Sequence, residues 1–122
     1  MKAFYPGPGI GGHCIPVDPF YLSWRAKQIG CQTRFIDLAG EINSAMPKLI
    51  VDNVVEAVES QGGGKKITEA RIMISGIAFK RDIDDTRETP AVPIIDLLQS
   101  LQARLYFCAH HFCPKKKMVT FS

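Results

Sequence analysis

Cys14 is the residue best placed for covalent chemistry, because of what surrounds it. It follows the run Gly7-Pro-Gly-Ile-Gly-Gly-His13 and precedes Pro16 and Asp18. Glycines have no Cβ, so their backbone N–H groups can come close to a ligand. Successive N–H groups in such a loop form a concavity suited to phosphate. The thiolate is the reactive form of cysteine, and it is favoured near positive charge or amide dipoles. Asp18 can hold a water or orient a nearby base. Each feature also has a plain structural explanation: a Gly/Pro-rich loop that only turns the chain, and a buried, inert cysteine. Residue types and spacing leave both open.

Gly7-Pro-Gly-Ile-Gly-Gly12 also spells G-x-G-x-x-G, the dinucleotide-binding fingerprint. That fingerprint needs a strand before it and a helix opening from its last glycine. Only six residues precede Gly7, and Pro16 argues against an immediate helix, so the match is set aside. Near the other end, Cys108, His110, His111 and Cys113 are all possible zinc ligands. Their C-x-H-H-x-C spacing matches no paired-knuckle pattern, and neighbouring His side chains point apart in an extended chain. No metal is expected. Lys115–Lys117 reads as a solvated run.

The elements that must position these groups follow from breakers and periodicity. Residues 1–18 are dominated by Pro and Gly and read as loop. A short helix is expected over about Pro19–Ile29, with Phe20, Tyr21 and Trp24 as helix-packing residues. A longer one follows over about Ile36–Val58, with Leu38, Ile42, Met46, Leu49, Ile50, Val54 and Val58 at helical spacing. Pro47 predicts either a kink or a second helix start. Gly62-Gly-Gly64 marks a boundary. Beyond it, Ala70–Phe79 fits a buried parallel strand, Lys80–Thr89 a polar loop, and Pro90 the start of a helix with Ile94, Ile95, Leu97, Leu98 and Leu101 on one face. Ala103–Cys108 reads as a second strand. Strand, helix, strand is a βαβ unit; two strands alone make no stable sheet, so this half reads as unfinished.

The fold class expected is therefore α/β: a helical segment followed by an incomplete doubly wound, Rossmann-like βαβ unit. The domains divide as 1–61 and 62–122. At 122 residues the chain can bury roughly two-thirds of its unfolded surface. Hydrophobic residues at 46% and charged residues at 22% indicate an ordinary globular chain. A net charge of +3 is too small for a nucleic-acid footprint. No apolar stretch approaches a membrane span and no signal-peptide pattern opens the chain. Four unevenly placed cysteines suggest no disulfide framework, so a reducing cytoplasm is the expected location.

Two stretches resemble one known family. Phe4-Tyr-Pro-Gly-Pro-Gly-Ile-Gly-Gly-His-Cys-Ile-Pro-Val-Asp18 is similar to the active-site segment of the UDP-glucose/GDP-mannose dehydrogenases, G-x-G-G-x-C-x-P-x-D. Gly76-Ile-Ala-Phe-Lys-Arg-Asp-Ile-Asp-Asp-Thr-Arg-Glu88 is similar to the signature that opens their C-terminal nucleotide-sugar domain. The resemblance covers about Phe4–Phe107. It implies NAD-dependent, two-step oxidation of a nucleotide sugar's C6 alcohol to a carboxylate. Cys14 would attack the intermediate aldehyde, giving a thiohemiacetal and then a thioester that water cleaves.

By the same resemblance Asp18 positions that water, and Tyr5, Gly7, Gly9 and Gly11 wrap the UDP-sugar. Phe79 and Lys80 make a further substrate contact, the Lys80 ammonium pairing with the diphosphate. Cys14 and Val17 border the nicotinamide and Arg87 faces the cofactor. The spelling around Cys14 is closer to the UDP-N-acetylhexosamine dehydrogenases, with UDP-glucose as the alternative substrate. A chain that only binds UDP-sugar or pairs with other subunits is the non-catalytic alternative.

The match stops at three places. The N-terminal Rossmann domain is absent, along with its lysine and asparagine. The long helix corresponds to the family's dimerisation core, which implies a homo-oligomer for the full-length protein, but its partner helices are missing. The tail after Phe107 diverges from the family. These 122 residues, read as a C-terminal fragment, are expected to be inactive alone.

Overall fold

The computed structural model describes residues 7–80, 85–108 and 119–120. Two helices carry the first half, α1 over Cys14–Gln28 and α2 over Arg34–Gln61. The start of α1 corrects the expectation that residues up to Asp18 are loop. The first four N–H groups of any helix lack an intrahelical acceptor, so Pro16 gives up no bond in the first turn. Pro19 lies inside the helix and gives up one.

After α1 the chain reverses at Gly30, whose φ of +77° suits glycine. The N–H groups of Gly30 and Cys31 donate to the carbonyls of Lys27 at 3.2 Å and Ala26 at 2.9 Å. A polar knot then fastens α1 to α2. The Ser23 hydroxyl, only 2% exposed, donates to the Asp37 carboxylate and accepts from the Thr33 hydroxyl at 2.8 Å. Lys27 adds an ion pair to Asp37 at 3.2 Å. The Ser23 hydrogen bond, then Lys27, holds the Asp37 carboxyl below its ordinary range.

Phe20 packs against α2, its ring lying over Gly40, where a larger residue would collide with it. Tyr21 and Trp24 do not pack in the way expected: they stay 70% and 60% exposed. Both lie on an α1 face that α2 leaves open. α2 runs unbroken through Pro47, which is buried, so a second helix start is excluded.

The second half contains a 3-10 turn at Ile67–Glu69, strand β1 at Arg71–Ser75, helix α3 at Ala91–Ser100 and strand β2 at Arg104–Cys108. β1 and β2 are parallel, with Arg71 opposite Arg104 and Ser75 opposite Cys108, and α3 is their crossover. A third strand, β3 at Val119–Thr120, pairs antiparallel with β2 and was not anticipated from the lysine-rich tail. The α/β class with an incomplete βαβ unit stands.

The core is small and joins both halves. Val51 of α2, Leu98 of α3 and Leu105 of β2 are 4%, 1% and 2% exposed. Val54, Val55, Ile72, Ile74, Ile94 and Phe107 pack around them. β1 differs from the fully buried strand its run of apolar residues suggested. Its burial alternates, and Met73 is 65% exposed. The described helices join the cluster on the Ile72/Ile74 face alone, so the strand shows the period-two pattern of a one-sided sheet. Among the described residues, no helix is long and apolar enough to cross a membrane.

Candidate functional site

The glycine loop lies flat on the segment that leaves β1. A Cβ at Gly11 would come within 2.5 Å of the Phe79 Cβ, 2.7 Å of the Glu88 carbonyl oxygen and 3.0 Å of the Pro90 Cδ. At Gly12, where φ is +90°, it would approach the Phe79 ring at 2.9 Å. At Gly9, with φ +136°, it would meet the Pro90 Cβ at 2.9 Å. The glycines are therefore needed for close approach, and two motifs far apart in sequence form one surface. Gly11→Ala is expected to destabilise the fold by about 1–3 kcal/mol through overpacking, read as a melting temperature lower by roughly 5 °C or more. An unchanged melting temperature would mean that the loop does not need this contact.

Cys14 is the first residue of α1, and its thiol is free and exposed. That excludes the buried, inert cysteine left open by the sequence. Pro16 has no N–H, and the N–H of Val17 donates to the His13 carbonyl at 3.1 Å. The N–H groups of Cys14 and Ile15 are thus the first-turn donors with no intrahelical acceptor. Val17 and Asp18 follow Cys14 by three and four residues, so all three share a face of the helix. Pro16, Val17, Phe20, Tyr21 and Trp24 line an open apolar cleft of about 500 Å³.

Lys80 follows Phe79 and is exposed. Arg87 is exposed and held from one side: its Nε and Nη2 donate to the Asp85 carboxylate at 3.0 and 2.8 Å, and its backbone N–H donates at 2.9 Å. Arg87 chiefly, with a smaller pull from His13, lowers the Asp85 carboxyl to about 2. Because the folded-state value lies below the ordinary 3.8, the pair's contribution is present above about pH 4 and is lost as pH falls through about 2. Carboxyl-carbon NMR of Asp85 is expected to show a midpoint near 2; a midpoint near 3.8 would mean the pair does not form in solution.

Of the other expected site residues, Gly7 is exposed and a Cβ there would touch nothing within 4 Å, so it takes no part in the packed loop. Tyr5 lies outside the described residues, as do His110, His111 and Cys113. No group of three metal-ligating side chains occurs among the described residues.

Three contributors were not singled out from sequence. Pro90 packs on Gly9 and Gly11. Thr89, 5% exposed, donates to the Ile77 carbonyl at 2.7 Å and accepts from the Ala91 N–H at 3.3 Å, tying the start of α3 to the residues just after β1. The Asn43 Oδ1 accepts the Ile10 N–H at 2.8 Å. A polar residue inside an apolar-periodic helix, with Pro47 one turn later, was the available signal for Asn43.

Residues 1–45 match the central domain of the UDP-glucose/GDP-mannose dehydrogenase family, and residues 73–120 match its UDP-binding domain. The chain belongs to the UDP-glucose/GDP-mannose dehydrogenase family. It is 42% identical over 100 residues to the UDP-N-acetyl-D-mannosamine dehydrogenase of Escherichia coli K12, covering 80% of this chain and 23% of that one. With the NDP-N-acetyl-D-galactosaminuronic acid dehydrogenase of Ralstonia nicotianae the identity is 38% over 102 residues, covering 84% and 22%. The solved UDP-D-ManNAc dehydrogenase of Pyrococcus horikoshii superposes with a TM-score of 0.74 at 35% identity, over 88% of this chain and 25% of that one. The chain therefore spans about a quarter of the length of these relatives. α1 opens just after the last glycine, so Pro16 is no barrier to a helix there. The glycine loop nevertheless lies in the family's central domain.

Proposed function

We propose that these residues form the nucleophile loop, central helices and part of the UDP-binding unit of an NAD-dependent nucleotide-sugar 6-dehydrogenase. Residues 1–61 serve as the central segment and 62–122 as the UDP-binding segment. The substrate is a UDP-N-acetylhexosamine, the mannosamine or glucosamine form, oxidised at C6 to the uronic acid. What carries this is the seating of Gly11 and Gly12 on Phe79, which joins the Cys14 loop to the segment bearing Lys80. The names of the relatives, all for 2-acetamido sugars, favour that substrate over UDP-glucose.

The Cys14 sulfur adds to the aldehyde carbon, and the carbonyl oxygen becomes the alkoxide of a thiohemiacetal. The N–H groups of Cys14 and Ile15 can donate to that oxygen. Once the adduct is oxidised to a thioester, Asp18 holds the water whose oxygen replaces sulfur, releasing the acid and the thiolate. Lys80 pairs with the diphosphate, and the loop backbone from Gly9 to Gly11 lies along the sugar nucleotide. Tyr5 and Gly7 extend that contact.

The apolar cleft through Val17 suits a flat ring such as nicotinamide, and Arg87, steadied by Asp85, offers its remaining N–H groups to the cofactor's phosphates. NAD, when bound, supplies the acceptor for both hydrides. On this reading these 122 residues form no NADH unaided, and the whole protein works in the cytoplasm as an oligomer through its central helix.

The test is alkylation of Cys14 by iodoacetamide, followed by peptide mass spectrometry. UDP-N-acetylmannosamine is expected to slow it, and Lys80→Ala is expected to raise the half-protecting concentration about tenfold by removing a charge-assisted contact. Alkylation that ignores the nucleotide sugar would sink this assignment.

A further inference from the structure

We propose that Asn43 is the positioning residue of the cysteine loop, holding Ile10 from the middle of α2 and thereby setting the path of the backbone that crosses Phe79 and Pro90 and leads into Cys14. The link is direct: the Ile10 N–H donates to the Asn43 Oδ1 at 2.8 Å across 33 residues of sequence. A backbone N–H needs an acceptor, so the side-chain oxygen faces the loop. Asparagine is a mediocre residue for a helix interior because its amide competes with the backbone. Here that amide is engaged outside the helix.

The site on α2 is also prepared for a close approach. The carbonyl of Asn43 would normally accept from the N–H four residues on, and that residue is Pro47, which has none. The oxygen lies 3.9 Å from where a Cβ of Gly9 would be, so the loop runs beside a helix carbonyl lacking its regular donor. The loop is therefore held at two points from two parts of the chain. Asn43 holds Ile10, while Phe79, Glu88 and Pro90 form the surface under Gly11 and Gly12. Between Ile10 and Cys14 lie Gly11, Gly12 and His13, and two glycines alone would let the loop pivot. With both ends held, the backbone that leads into α1 has one path.

The consequence for substrate rests on the dehydrogenase assignment above: a loop freed from α2 would still carry Cys14 but would present its backbone poorly to the nucleotide sugar. The experiment uses the whole 122-residue chain and two variants. Asn43→Asp keeps an acceptor oxygen, and Asn43→Leu removes it at similar size.

Amide exchange by NMR is expected to find the wild-type Ile10 N–H at least roughly tenfold slower than coil, Asn43→Asp close to wild type, and Asn43→Leu near the coil rate. The UDP-N-acetylmannosamine concentration that half-protects Cys14 from iodoacetamide should rise about fivefold in Asn43→Leu and stay within twofold in Asn43→Asp. A wild-type Ile10 amide that exchanges at the coil rate overturns the inference, as does an Asn43→Leu chain indistinguishable from wild type. If Asn43→Leu does not fold, the wild-type and Asn43→Asp exchange rates decide. If wild-type Cys14 is not protected at all, the dehydrogenase assignment fails, and Ile10 exchange still decides the role of Asn43.

Discussion

Cys14→Ser is expected to abolish net acid formation when residues 7–108 are joined to the remainder of a relative such as the Pyrococcus horikoshii enzyme. The loss should be at least roughly a thousandfold, the scale seen when a covalent nucleophile is removed. Serine keeps the shape of the first turn of α1 but is a far weaker nucleophile at neutral pH, because its hydroxyl is not ionised. The alcohol-to-aldehyde step needs no sulfur, so trapping released aldehyde with a hydrazine should still register product. Acid formed at the parental rate would show that another group captures the aldehyde. Loss of both steps would show instead that the substitution had disturbed the loop.

Leu98→Ala is expected to give the largest stability loss of any single truncation in the chain. Leu98 is 1% exposed and lies between Val51 of α2 and Leu105 of β2. Removing its isobutyl group gives up transfer free energy and leaves a cavity, together about 2–5 kcal/mol. Domains of this size have in total only about 5–15 kcal/mol of stability. Urea unfolding should show a markedly lower midpoint with an unchanged slope. Because the same cluster ties α2 to the βαβ unit, β1 and α2 should lose amide protection together. A change below about 1 kcal/mol would mean that α2 is held to the second half by something other than this core.

Both expectations depend on features that differ in how visible they were beforehand. Cys14, Asp18 one turn later and the glycines could be singled out as candidates because residue types and motif spelling are local; the roles proposed for them came with the family resemblance. The same locality holds for α2 and α3, whose apolar period of about 3.6 is a local property of the chain, and for the two parallel strands, legible as short apolar runs although β1's one-sided burial was not. Local rules failed where position in the tertiary structure overrides propensity. Pro16 looked like a barrier to a helix, yet first-turn N–H groups have no intrahelical acceptor, so α1 begins at Cys14. Pro47 looked like a break, yet α2 passes through it with the ring buried. Tyr21, Trp24 and Met73 looked like packing residues, and the described chain leaves them mostly exposed.

By itself the sequence determined which side chains could do chemistry and where α2, α3, β1 and β2 would form, since both depend on residue type and near neighbours. Only the tertiary structure decided that Gly11 and Gly12 lie on Phe79, that Asn43 reaches Ile10, and that one core joins α2 to the sheet. Each of those contacts links residues far apart in the chain, and it exists because burying Val51, Leu98 and Leu105 together brings their elements side by side. No local pattern encodes that distance.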